Sequence, residues 1–128
     1  MLTLPRSVRV WLAVEPVHMG KNHDGLSAAV KQRFGDDPFS GNLFVFLGKR
    51  RDRCKILWWE TGGFVAHYKR LDRGRMHLPR IEPGSNRVLL DGPQLAMLLD
   101  GVDLARVRRP VHWRPRGMTR GIDKPAAS

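Results

Sequence analysis

A chain of 128 residues with 41% hydrophobic content is long and apolar enough for one domain around a real core. Its formal net charge of +11 favours a polyanionic partner, of which nucleic acid is the commonest. A single cysteine, Cys54, excludes an intrachain disulfide and a cysteine zinc site, and no run approaches the ~20 apolar residues of a membrane span.

The opening residues, MLTLPRSVRVWLAV, lack a signal peptide's order of charge, apolar core and small-residue cleavage site, so a cytoplasmic protein is expected. Val8, Val10, Leu12 and Val14 alternate with Arg9, Trp11 and Ala13, which predicts a strand with the valines inward. Glu15-Pro16 ends it. After the loop VHMGKNH, Asp24-Gly25 marks a helix start with Asp24 as the N-cap. Leu26, Ala29, Val30 and Phe34 follow at helical spacing, with Lys31 and Arg33 on the wet side and Gly35 as a left-handed cap.

Three runs of strand formers come next: Leu43 to Leu47, Lys55 to Glu60 and Phe64 to Leu71. A turn at Gly62-Gly63 joins the last two, and the short basic link GKRRDR joins the first two. The pattern predicts an antiparallel three-stranded meander. A two-residue turn puts Leu57 and Trp59 on one face with Phe64, Ala66 and Tyr68, and that face is the expected core. Trp58 then shares the other face with Ile56, His67 and Lys69. Two readings of Trp58 stand: an outward ring that stacks on a base or anchors a partner, or a core ring under a terminal helix. Cys54 beside Ile56 reads as a buried, reduced, inert thiol.

Met76 to Asn86 is rich in turn formers and reads as irregular. Arg87 to Leu90 is a short apolar run suited to an edge strand. Asp91-Gly92-Pro93-Gln94 opens a second helix, with Asp91 or Gly92 capping, Leu95, Leu98 and Leu99 as its stripe and Gly101 as its end. The fold class is therefore α+β: a small antiparallel sheet, made of the meander and the N-terminal strand, packed with one or two helices. Residues 1–107 form the domain, and residues 108–128 form a basic, flexible tail with Val111 and Trp113 as its apolar points.

The words SGNLFVF, KILWWE and KRLDRGR, with RVWLAV upstream and LAMLLDGVDL downstream, resemble the accessory-protein family encoded by the second reading frame of IS-66-type bacterial insertion sequences. The likeness runs from about Pro5 to Val107. It implies a protein needed alongside a separate transposase, with no established catalytic residues of its own. The family's loop before the first helix reads Asp-Met-Arg-Lys-Gly, an apolar residue, then Asp-Gly-Leu. Here Met19, Lys21, Asp24, Gly25 and Leu26 match, while His18, Gly20, Asn22 and His23 depart from it. The lost arginine removes a planar fork that lysine does not replace.

The residues offer no catalytic constellation. His18, His23, His67 and His77 lack the paired spacing of zinc proteases, and no carboxylate cluster suggests a two-metal nuclease. Ser7, Ser27, Ser40 and Ser85 have no nucleophile-elbow context, and GKNHDG fits neither phosphate-loop pattern. No enzyme, cofactor or metal is expected. The basic groups are more informative. Lys49, Arg50, Arg51 and Arg53 fill one hairpin link, and Lys69, Arg70, Arg73 and Arg75 follow the third strand. In a meander both lie at the same end of the sheet, where they, together with the basic tail at 108–128, are expected to contact DNA phosphates; the alternative is a solvated loop whose like charges repel. The expected partners are DNA, as transposon ends or non-specific duplex, and the transposase and other proteins of the same element. Trp58, His67 and Lys21 are the candidate base or partner contacts. The alternative is a module that docks on the transposase without substantial DNA binding.

Overall fold

The computed structural model describes residues 7–103. The proposed tail at 108–128, with Val111 and Trp113, lies outside them. Five strands and two helices follow one another as β1 (Val10–Ala13), α1 (His23–Ala29) running into a π-helical turn (Val30–Phe34), β2 (Leu43–Leu47), β3 (Arg53–Glu60), β4 (Gly63–Arg70), β5 (Arg87–Leu90) and α2 (Gly92–Leu99). The sheet order is β4-β3-β2-β1-β5. The expected meander is β2-β3-β4, and β5 is an edge strand.

β1 lies between β2 and β5 and runs parallel to β2, with Val10 opposite Leu43. A parallel pair needs a crossover, and α1 with its π-helical turn supplies it. The sheet is thus mostly antiparallel, covered on both faces. On one face α1 and the turn bury Leu26, Ala29, Val30 and Phe34 against Ala13, Phe44, Phe46 and Leu57. On the other, Leu95 and Leu98 of α2 pack with Val10, Leu12, Val45, Cys54 and Ile56. Double coverage explains why all five residues of β2 are buried. It also corrects the reading of β1: Val10 and Leu12 face one layer, while Ala13 and the half-buried Trp11 face the other.

Three local expectations change. The N-cap of α1 is Asn22, whose side chain accepts from the Gly25 amide at 3.2 Å, so Asp24 sits in the first turn instead. The β3–β4 turn is centred on Thr61-Gly62, because Glu60 pairs with Gly63. Of the two glycines only Gly62 has positive φ, at 86°, as the third position of a type II turn requires. Met76 opens an irregular stretch, yet it is fully buried in the α2-side core. The caps of α2 follow expectation. Asp91 accepts from the Gln94 amide at 2.8 Å while Gln94 Oε1 accepts from the Asp91 amide at 2.9 Å, a reciprocal box.

Candidate nucleic-acid interface

The β2–β3 link is a closed loop. The Gly48 amide donates to the Arg53 carbonyl at 3.0 Å, and the Arg51 amide donates to the Gly48 carbonyl at 2.9 Å. Arg51 holds a left-handed φ of 64°, the one such non-glycine among the described residues. Two longer-range bonds tie this loop to the chain leaving β4. Leu71 N donates to the Asp52 carbonyl at 2.7 Å, and Met76 N donates to the Arg51 carbonyl at 2.6 Å. With Met76 buried below, residues 71–76 are pinned against the loop.

This brings Lys49, Arg50, Arg51, Arg53 and Arg70 to one end of the sheet, with Arg73 and Arg75 on the adjoining segment. Lys49, Arg50, Arg51, Arg70, Arg73 and Arg75 are exposed; Arg53 is half-buried. Arg53 lies directly opposite Arg70 across the ladder. Asp52 Oδ1, 3.8 Å from Arg53 Nε, offsets part of the repulsion that such a like-charged pair carries. Lys69 does not join the group. Its side chain points to the α2 face, where Nζ is 3.6 Å from Asp100 Oδ1.

Trp58, His67 and Lys21 are not brought together. Trp58 and the exposed His67 share the α2 face of the β3–β4 hairpin. Trp58 is half-buried against the α2-side core and its Nε1 donates to Glu60 Oε1 at 3.0 Å. Lys21 lies on the α1 side, where its carbonyl accepts from Lys55 Nζ at 2.9 Å. The expected core face is also only partly core: Leu57 is fully buried, Trp59 and Phe64 are half-buried, and Ala66 and Tyr68 are exposed. α1 reaches β4 near Phe64, whose ring stacks with His23 at 6.2 Å, while Ala66, His67, Tyr68 and Arg70 of β4 stay exposed.

Two features escaped sequence reasoning. Phe39, Trp59 and Phe64 form a triangle with ring centroids 5.0–5.2 Å apart, at the turn end of the hairpin. Phe39 is 51% exposed. The loop at Val17–Gly20 lies against the β2–β3 loop, and with Tyr68 the two border an open groove of about 730 Å³. The approach is close: a Cβ on Gly48 would meet Met19 Cγ at 2.9 Å, so only glycine fits there unchanged. Gly48 was the available signal, since a glycine beginning a basic link marks close backbone approach.

Cys54 is buried beneath this end, and burial pushes its thiol up to about 11 despite the nearby Lys69. No cluster of three or more metal-ligating side chains occurs among the described residues. Among these residues, too, no helix is long and apolar enough to cross a membrane.

These features define the class: a strongly basic α+β domain with a mixed sheet covered on both faces. The chain belongs to the IS66 Orf2-like family, described as "IS66 Orf2 like protein", which matches residues 8–109. Membership implies an accessory role in an insertion sequence and no known enzyme class. Two relatives come from Sinorhizobium fredii (strain NBRC 101917 / NGR234). Uncharacterized protein y4jC is 30% identical over 115 residues, covering 90% of this chain and 97% of its own length. Uncharacterized protein y4hO is 35% identical over 115 residues, covering 90% and 96% respectively. No solved structure matches the chain.

Proposed function

We propose that this protein serves transposition of its element by contacting DNA through the cationic end of the sheet. The observation that carries this reading is the main-chain tie between the β2–β3 loop and residues 71–76, which holds cations from two chain segments on one surface. Arg53 and Arg70 stand opposite one another with one carboxylate beside them, Asp52 Oδ1 at 3.8 Å from Arg53 Nε, so the pair keeps a net positive charge and some repulsion. A phosphate between such groups relieves that repulsion and releases counterions from the duplex.

The test is a fluorescence titration of labelled duplex DNA at several salt concentrations, on the native protein and on a variant with Lys49, Arg50, Arg73 and Arg75 changed to Gln. These four are exposed, so the fold is expected to survive. Affinity should fall steeply with salt, and the variant's slope should be shallower by roughly one unit for each phosphate that the variant no longer neutralises. Unchanged affinity and slope would remove this surface from consideration.

A second reading, docking on the element's transposase, is favoured by the aromatic triangle at the opposite end. Exposed aromatic clusters are common anchors of protein interfaces. Co-purification of the transposase with the native protein, but not with a Phe39→Ser variant, is the expected outcome of that reading.

A further inference from the structure

The groove between the Val17–Gly20 loop and the β2–β3 loop has properties that duplex binding does not use. It is concave, and its volume of about 730 Å³ falls in the range of small-ligand sites. A duplex presents a convex backbone that reaches the rim of such a groove, not its floor. The lining is mixed: Met19 contributes an apolar wall, and Tyr68 contributes a ring that is 48% exposed. Lys55 Nζ is 5.9 Å from the centroid of that ring, and its bond to the Lys21 carbonyl fixes it there. Lys49 and Arg53 supply cations at the edge.

Arg53 adds an independent observation. Its Nε is a buried side-chain nitrogen left without a hydrogen-bond partner. Asp52 Oδ1 is 3.8 Å away, which is too far for a hydrogen bond. Nε itself is sealed from solvent, so a ligand in the groove meets the rest of the side chain, which is 37% exposed. A part-exposed arginine, a ring face and excess positive charge in one cleft match the three parts of a nucleotide. Phosphate oxygens accept from arginine, the base stacks on tyrosine, and the remaining cations balance the backbone charge.

We propose that this groove seats an unpaired nucleotide of DNA, with its base on Tyr68 and its phosphate on Arg53. The proposal rests on the DNA reading and narrows it: the protein prefers DNA with an unpaired stretch over continuous duplex. The main-chain bonds of the loop and the packing of Met19 on Gly48 preform the groove, so little ordering is needed on binding.

The experiment compares a labelled single strand with the duplex of the same sequence, at one salt concentration, on native protein and on Tyr68→Ala and Tyr68→Phe. The single strand should bind more tightly than the duplex. Tyr68→Ala should weaken single-strand binding about tenfold or more and leave duplex binding unchanged, while Tyr68→Phe, which keeps the ring, should bind like the native protein. Matching thermal melts for the three proteins establish that folding is unaffected, as an exposed side chain allows. If duplex is bound but Tyr68→Ala changes neither affinity, or both equally, the groove proposal is overturned and the DNA reading stands. If neither form of DNA is bound, both fall. Tighter binding of the corresponding RNA strand would also overturn the proposal.

Discussion

The β3–β4 hairpin carries two unlike surfaces at its two ends. At one end lie the exposed cations, fastened by main-chain hydrogen bonds between the β2–β3 loop and residues 71–76. At the other, beyond eight residues of strand, lie Phe39, Trp59 and Phe64. The span is roughly 25 Å at the usual rise per strand residue. The two ends are built differently. Backbone geometry organises the cations, whose side chains are largely free. Side-chain packing organises the aromatics. A sheet supports both because its ladder fixes which residues stand opposite, whatever their chemistry. The proposed DNA contact uses the first end, and the proposed transposase contact uses the second.

The largest expected effect breaks the cationic end from beneath. Met76 is fully buried and its amide holds the Arg51 carbonyl. Met76→Ala should cost about 2–5 kcal/mol in chemical denaturation, with residues 71–76 and the loop losing amide protection before the rest of the sheet. Uniform loss of protection would mean that the cationic end has no separate anchor.

A smaller effect sharpens the contrast at the other end. Trp58 packs on the α2-side core and Trp59 on the α1 side, both half-buried. Trp58→Ala and Trp59→Ala should each cost about 1–3 kcal/mol, below the range for fully buried aromatics. Thermal melts of the pair check this. A near-neutral result for either would place that ring in solvent.

The smallest effect concerns Cys54, which neighbours the cations yet behaves as a core group. Its folded pKa of about 11 stands above the ordinary 9.0. Any stability it contributes is thus present below pH 9.0 and lost as pH rises through about 11. Near neutral pH its thiolate fraction should be about a hundredfold below that of a free cysteine, and alkylation correspondingly slow. Fast alkylation of native protein would show that the cationic field reaches into the core.

Much of the fold was legible because its signals are local. The meander follows from three apolar runs separated by glycines and a basic link, and the caps of α2 from Asp91, Pro93 and Gln94. The convergence of Lys49, Arg50, Arg51 and Arg53 with Arg70 follows from meander geometry alone. What escaped was non-local. Nothing in VWLA says that β1 enters between β2 and β5, since a four-residue strand looks the same at an edge and at a centre. Consequently coverage of both faces, and with it the packing of Trp58, lay beyond periodicity. Asn22 won the cap over Asp24 by one turn geometry rather than by residue type, as both accept amides well. The Val17–Gly20 loop reaches this end because β1 runs parallel beside β2 and Val17 N donates to the Leu47 carbonyl at 3.0 Å, a non-local pairing of which Gly48 was the single local sign. Phe39 sits in a loop, where an aromatic side chain carries no period to read.

The central position of β1 bears on how quickly the chain acquires its structure. β1 leaves the ribosome first, but its neighbours are Leu43 on one side and Leu90 on the other. Each pairing closes a long loop, at an entropic cost that precedes the pairing energy. The β2–β3–β4 meander needs only short closures and is complete while β1 still lacks its second partner. Until Arg87–Leu90 is synthesised, β1 has one open flank, and the α2-side layer has no cover. The β1–β5 pair is thus the most non-local step of the sheet, and non-local pairings of this kind slow folding and prolong exposure of unpaired strand edges.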